Sequence, residues 1–256
     1  MSRLPPAIAL ILVGLILSAK ASAQTTLAPA AIGSELSEAR AKPSTLLEIK
    51  LGGYKPNVDS ESNLQGKNPY LNTFGSGAML LIELEVDREL WHRFGSLGVG
   101  FSAGYAEKYG SALYDSTGVG TLTGASAEKT SLKVIPLKAM AVYRFDYPAL
   151  HWGVPLVPYV KAGLTFEPWW SNKGGGVEYS MGTRGAGYKG GYGGVVGLAF
   201  MLDYAEAALG RDFRSDFGIF HSYLFAEFSD WQVRSFKMSG LNLSSQYFMF
   251  GFALEF

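Results

Sequence analysis

The last ten residues constrain this chain more than any other stretch. Tyr247–Phe256 reads Tyr-Phe-Met-Phe-Gly-Phe-Ala-Leu-Glu-Phe. Successive side chains of an extended strand point to opposite faces. Phe248, Phe250, Phe252, Leu254 and Phe256 therefore share one face, and Tyr247, Met249, Gly251, Ala253 and Glu255 the other. One face is wholly apolar and largely aromatic; the other is small or polar. A water-soluble sheet would bury the aromatic face under a second layer. Ending on it, at a terminal Phe, predicts the closing strand of a barrel whose outside touches lipid.

The amino-terminal residues predict export. Arg3 precedes an apolar stretch, Leu4 to Leu17, broken only by Pro5, Pro6 and Gly14. Ala21-Ser22-Ala23 is a small-x-small site, so residues 1–23 read as a signal peptide cleaved before Gln24. A retained anchor is the competing reading, but a spanning helix needs about 20 apolar residues. Gln24, not Cys, follows the cleavage site, which excludes a lipid-modified amino terminus. With 0 cysteines the chain can hold no disulfide and no thiolate metal or redox site. Lys+Arg and Asp+Glu stand at 22 each, which argues against nucleic acid as a partner. Charged residues are only 17%, whereas 32 glycines and 14% aromatics are abundant, a balance that suits a sheet with one face in lipid. Past the leader, the longest apolar run, near Gly193 to Leu202, is too short for a spanning helix, so any crossing must be by strands.

Residues 24–43 read as a periplasmic leader with a helical turn or two at Ser34 to Ala41, and residues 44–256 as the barrel. About eight alternating segments follow the leader. Thr45, Leu47, Ile49 and Leu51 oppose Leu46, Glu48, Lys50 and Gly52; Ala78 to Val86 oppose Leu81, Glu83, Glu85 and Asp87; Leu97 to Tyr105 oppose Gly98, Gly100, Ser102 and Gly104. Segment four, Ser131 to Phe145, sets Lys138 and Arg144 against Ile135, Leu137, Ala139, Ala141, Tyr143 and Phe145. Segment five, Leu156 to Phe166, sets Tyr159, Lys161 and Thr165 against Leu156, Val160, Ala162, Leu164 and Phe166. Segment six runs from Tyr188 to Leu202, segment seven from Ile219 to Phe228 with His221, Tyr223, Phe225 and Glu227 inward, and the closing strand is the eighth. Pro136 and Pro158 lie inside segments four and five, where a missing N–H predicts a bulge or a slip of one residue.

Lys55 to Ser76, Ala106 to Lys129 and Glu167 to Gly187 read as long outer loops, and Arg88 to Gly95 and Tyr147 to Pro155 as short turns, the outer-membrane pattern. Both chain ends then face the periplasm. Asp203 to Gly218 breaks the alternation, being long and helix-like. Trp91 with Phe94, Tyr143 with Tyr147, Trp169 with Trp170, and Trp231 read as interfacial girdles.

The predicted inner face gathers Glu48, Lys50, Glu83, Glu85, Lys138, Arg144, Lys161, Glu227 and Glu255. An eight-strand barrel leaves an interior just wide enough for side chains, so these charges must pair and plug it. The alternative is a narrow solute path. The small residues at 98, 100, 102 and 104 leave space either for neighbouring long side chains or for a cavity. Gly100-Phe101-Ser102-Ala103-Gly104 matches a nucleophile elbow but sits in mid-strand, with no helix after it. Gly185-Ala186-Gly187-Tyr188-Lys189-Gly190 matches a dinucleotide fingerprint but enters a strand rather than a helix. His92 and His151 fall in predicted turns beside Trp91 and Trp152; His221 points inward, away from the adjacent Ser222. No metal ligand set, catalytic site or cofactor is indicated.

The ending resembles the sorting signal of bacterial outer-membrane β-barrels, and Leu46 to Phe256 looks like a small member of that class. More narrowly, Leu47-Glu48-Ile49-Lys50-Leu51-Gly52-Gly53-Tyr54-Lys55-Pro56, Val134 to Lys138 leading to Tyr143-Arg144-Phe145-Asp146, and Pro158 to Gly163 resemble a barrel family common in myxobacteria and related Gram-negative bacteria. The resemblance implies an all-β, transmembrane, antiparallel up-and-down barrel in the outer membrane. It implies contact with outer-membrane lipid and lipopolysaccharide, and assembly through Phe252, Leu254 and Phe256. It implies no activity. The leading expectation is a non-enzymatic barrel with a structural or surface-binding role, its contact candidates Trp169, Trp170, Lys173 and Arg184 around Gly174 to Gly176. The others are a small-solute channel and a lipid A-modifying enzyme.

Overall fold

The computed structural model describes residues 44–61, 64, 67–115, 122–152, 154–173, 176–177, 179–180, 183–202, 218–235 and 241–256. The predicted signal peptide, the leader and positions 203–217 lie outside them. The strands are β1 (Thr45–Tyr54), β2 (Met79–His92), β3 (Ser96–Asp115), β4 (Leu122–Val134), β5 (Leu137–Arg144), β6 (Leu156–Lys173), the short β7 (Gly176–Val177), β8 (Tyr179–Ser180) and β9 (Thr183–Arg184), β10 (Ala186–Met201), β11 (His221–Gln232) and β12 (Ser245–Glu255). Two short helices, α1 (Pro69–Phe74) and α2 (Tyr147–Trp152), lie in connections.

Antiparallel pairing runs β1–β2–β3. Strand β3 then pairs with both β4 and β5, both pair with β6, and the ring continues through β10, β11 and β12 back to β1. Because β4 and β5 share one place, the sheet is a closed antiparallel ring of eight positions. Closure pairs the strands on both sides around the ring and leaves open edges where the β3–β4 hairpin runs past its neighbours, among the described residues. At the seam, Thr45 and Phe256 exchange backbone hydrogen bonds of 3.0 and 2.9 Å. The chain's last residue is thus part of the closure, and both ends of the barrel segment lie at one rim.

The expected slips at the prolines do not occur. Val134 and Leu137 face Ala106 and Ala103 of β3, and Trp169 and Phe166 of β6, in unbroken register across Pro136. The ladder is interrupted there without an inserted residue. Gly104 N still donates to Pro136 O at 2.8 Å, and Ile135 N to Pro168 O at 2.9 Å. Pro158 pairs in register with Leu198, and its carbonyl accepts from Phe145 N just past the end of β5. Its missing N–H thus falls where the neighbouring strand has already ended. The register shifts that do occur lie elsewhere, between Glu89 and Trp91 and near the tip of the β3–β4 hairpin.

Period-two alternation holds around the ring. Leu80, Ile82, Phe101, Leu164, Val196, Phe248 and Phe250 are exposed, while Glu48, Lys50, Glu83, Glu85, Lys138, Lys161 and Glu227 are buried. Trp231 corrects the girdle reading: it is buried on the inner face, as its parity with Glu227 requires. Trp91 and Phe94 are exposed at the rim where β1 begins and β12 ends, the chain-end rim. Two of the expected loops are largely strand. Positions 106–115 and 122–129 extend the β3–β4 hairpin, and β6 and β10 pair up to Trp170 and Ala186. At 20 and 18 residues, β3 and β6 run well past the 9–11 residues a membrane strand needs.

The first connection folds over the opposite rim. Asp59 accepts the backbone N–H groups of Tyr70 (2.8 Å) and Leu71 (2.9 Å), satisfying the first turn of α1. Asn57 N donates to Ser244 O at 2.9 Å, and Asn242 Nδ2 to Ser60 Oγ at 2.7 Å. Gly110 lets α1 sit against β3, since a Cβ there would meet Thr73 O at 2.2 Å.

Candidate functional site

Alternation decides which charges meet. Strand β2 turns Glu83, Glu85 and Asp87 inward on consecutive rungs; β1 supplies Glu48 and Lys50, β5 Lys138 and Arg144, β6 Lys161, and β11 Glu227. In the β1–β2 register Glu48 faces Glu85 and Lys50 faces Glu83. Two carboxylates directly opposed repel, so the Glu48–Glu85 rung needs cations, one from the neighbouring rung of β1 and one from across the lumen.

Lys161 and Lys50 supply them. Lys161 Nζ donates to Glu48 Oε2 (2.8 Å), to Glu85 Oε1 and to Asp87 Oδ2 (3.2 Å). Lys50 Nζ reaches Glu85 Oε2 (2.6 Å), Glu227 Oε1 (3.1 Å) and Glu48 Oε2 (3.4 Å). Arg144 Nη2 donates to Glu48 Oε1 and to Asp87 Oδ2 (2.7 Å). Lys138 Nζ pairs with Glu83 and lies 3.1 Å from Tyr247 Oη and 5.2 Å from the centre of the Trp231 ring. Tyr159 Oη donates to Glu227 Oε2 at 2.9 Å. Lys50, Glu85 and Lys161 are 1%, 0% and 2% exposed, so water does not solvate these charges and their partners must.

Glycine makes the surrounding space. On the inner face Gly197 pairs with Tyr159, Gly193 with Trp231, Gly251 with Phe225 and Gly187 with Trp169. In each pair the ring lies over its glycine: a Cβ would meet Tyr159 Cζ at 2.2 Å, Trp231 Cδ2 at 2.8 Å, Phe225 Cζ at 2.4 Å and Trp169 Nε1 at 3.2 Å. The space at 98–104 goes to neighbouring side chains and is no cavity. Asp87 Oδ1 would lie 2.3 Å from a Cβ on Gly100, and Leu81 Cδ1 2.9 Å from one on Gly104.

Eight of the nine predicted lumen charges meet here. Glu255 does not; it accepts from Tyr223 Oη at 2.7 Å near the chain-end rim. Asp87, already placed on the inner face, joins the centre of the cluster. Glu167, read as the start of a loop, lies buried on β6, held by Tyr54 Oη at 2.9 Å and Thr165 Oγ1 at 3.3 Å. Its parity with Lys161 and Thr165 is the signal that would have found it.

The contact candidates are not on a free loop. Trp169 and Trp170 lie on β6, Trp169 turned inward and partly buried, and Lys173 and Arg184 belong to β6 and β9, their side chains outside the described ones. Gly174 and Gly175 lie outside the described residues, whereas Gly176 opens β7. Ser102 of the elbow-like motif is buried in mid-strand, and the motif at 185–190 runs into β10 rather than a helix. His92, in the turn the sequence predicts, meets two acids there: its Nδ1 lies 3.2 Å from Glu89 Oε1 and 3.7 Å from Asp146 Oδ2. Burial pushes the Asp146 carboxyl above the usual aspartate range, opposed by His92. On the opposite rim, burial and the nearby Asp59 charge push Tyr70 up to about 12.

No family model matches the chain, and no curated protein does. Several solved structures share its form loosely. A major outer membrane protein from Thermus thermophilus is 12% identical, with a TM-score of 0.46 over 84% of this chain and 99% of that one. The outer membrane protein OprG from Pseudomonas aeruginosa is 12% identical, with a TM-score of 0.44 over 83% and 95%. Ail, the attachment invasion locus protein of Yersinia pestis, is 12% identical, with a TM-score of 0.41 over 84% and 97%. At these scores the closed-barrel assignment rests on this chain's own strand pairing.

Proposed function

We propose that this chain is a non-enzymatic outer-membrane barrel with a structural or surface-binding role, its lumen closed by ion pairs. Its partners are outer-membrane lipid and lipopolysaccharide, and the assembly machinery that recognises the closing strand through Phe252, Leu254 and Phe256. The chain-end rim faces the periplasm, and the long hairpins face outward. One observation carries the reading: Lys161 and Lys50 bind Glu48, Glu85, Asp87 and Glu227 inside the lumen at exposures of 2% or less. A conducting path needs water or mobile ions along the axis. Here the axis holds fixed, paired charges with aromatic rings packed around them. A hydrolase would need a nucleophile–base pair opening to substrate, and the elbow-like Ser102 is buried in a strand.

Single-channel recording of the purified protein in planar bilayers tests this. The expected result is a silent membrane across the usual voltage range. Steady, ion-selective openings that vanish with Lys161→Met would overturn it. Unchanged lipid A mass spectra with and without the gene are expected as well, and a new acylation state would make the protein an enzyme.

A further inference from the structure

The outer wall carries one feature that the sealed lumen does not explain. On β10, β11 and β12 the outward residues form aligned rungs. Val196 faces Phe228, which faces Phe248; on the next rung Gly194 faces Asp230, which faces Gln246; Tyr192 faces Gln232 beyond that. The wall below is apolar, with Val196 63%, Phe248 63% and Phe250 64% exposed. A groove of about 450 Å³ opens along this wall, lined by Val160, Tyr192, Gly194, Val196, Phe228 and Asp230. Its floor is low because Gly194 has no side chain and its partner on β6 is Ala162.

Asp230 is a carboxylate at the end of an apolar groove. Its oxygens accept from Gln232 Nε2 (3.0 Å) and Gln246 Nε2 (2.9 Å), and among the described residues it forms no salt bridge. Each glutamine spends one amide N–H on Asp230 and keeps a second. Acceptors outnumber those two donors: lone pairs remain on each carboxylate oxygen and on the two amide carbonyls. A ligand here must bring donors as well as acceptors, and next to Tyr192 it meets an aromatic face. An anionic phosphate headgroup is disfavoured by the carboxylate. A sugar suits the place, since its hydroxyls donate and its C–H face stacks on a ring.

We infer that this groove binds a glycolipid, one acyl chain lying over Gly194 between Val160, Val196 and Phe228, and the sugar hydroxyls on Asp230, Gln232 and Gln246. The inference rests on the membrane reading above and names the lipid class that the wall selects. Tyr192 marks the level where the acyl region gives way to the headgroup, as amphipathic rings do at membrane interfaces.

The test is native mass spectrometry of the full chain from micelles holding equal amounts of monoglucosyl-diacylglycerol, phosphatidylglycerol and phosphatidylethanolamine with matched acyl chains. The expected result is several-fold preferential retention of the glycolipid. Asp230→Ala should abolish the preference while lipid still binds. Val196→Trp, which fills the groove from an exposed position, should reduce retention of every lipid. Both variants keep the inner face, and a circular-dichroism strand spectrum matching wild type checks folding. Equal retention of the three lipids, preference for either phospholipid, or a glycolipid preference that survives Asp230→Ala would overturn the inference. The membrane reading fails by a different observation: a chain that stays monodisperse without detergent.

Discussion

Replacing Lys161 with Met should be the most damaging single change in the barrel interior. The side chains have similar length, so the change removes little volume and one charge. Lys161 Nζ lies 2.8 Å from Glu48 and 3.2 Å from Asp87, also donates to Glu85, and is 2% exposed. Removing one partner of a buried ion pair costs about 3–5 kcal/mol, because the remaining charge stays desolvated. Here three carboxylates lose a shared cation. Lys50 and Arg144 already serve the same acids, so neither is spare. The loss should therefore sit near the upper end, about 5 kcal/mol, a large part of the roughly 5–15 kcal/mol typical of whole proteins. Urea unfolding in lipid vesicles, followed by Trp fluorescence, gives the number. A second substitution checks the cause. Glu48 and Glu85 face each other across the β1–β2 rung. Glu85→Gln in the Lys161→Met background should therefore recover about 2 kcal/mol, whereas Glu85→Gln alone should destabilise; coupled effects of that sign are expected of residues in one network. A Lys161→Met protein within about 1 kcal/mol of wild type would refute the claim that these charges are desolvated and mutually dependent.

Three further outcomes follow from the geometry. Gly197→Ala puts a Cβ 2.2 Å from the Tyr159 ring; overpacking costs about 1–3 kcal/mol, and a drop in unfolding midpoint beyond that of Gly194→Ala would show it. Deleting Phe256 removes the two backbone hydrogen bonds to Thr45 that complete the seam, so slower folding into vesicles is expected, measured by the electrophoretic shift between folded and unfolded forms. Asp146 is held by burial above the usual aspartate range, so the folded state binds its proton more tightly than the unfolded state and loses stability as pH rises through the raised value. Asp146→Asn should therefore raise the melting midpoint at neutral pH, and the gain should disappear as pH falls below the aspartate range.

What the sequence conveys is parity. A period of two fixes which residues share a face, so the inward charges and the outward aromatics can be read strand by strand. Reading by residue type rather than parity goes wrong. Trp231 joins the girdles by being aromatic, although it alternates with Glu227 and so points inward. Glu167 reads as loop because Pro168 and two tryptophans follow it, although it continues the Lys161–Thr165 face. The prolines mislead for a related reason. A lost N–H need not shift a register when, as at Pro158, the missing bond falls beyond the end of the neighbouring strand. Positions 106–129 read as loop because recurrent Gly, Ser and Thr break up any apolar alternation there. The described parts become strand by pairing with each other, and pairing is not visible in either segment alone. The groove beside Asp230 is out of reach for the same reason: it needs Gly194, Asp230 and Gln246 on one rung, a fact of register across three strands.

The central claim is that lipid covers the apolar wall while the charges are sealed inside, and the chain's 0 cysteines make it directly testable. Single cysteines at Phe101 and Leu84 on the wall can each carry a small fluorophore in protein reconstituted with brominated-chain lipids, while one at Ser102, packed on the inner face, tests the seal by its resistance to a membrane-permeant thiol reagent. Strong quenching at 101 and 84, with no labelling of 102 in the folded protein, is the expected result. Weak quenching at both wall positions, ready labelling of 102, or rapid labelling of the wall positions by a charged water-soluble thiol reagent after reconstitution would contradict it.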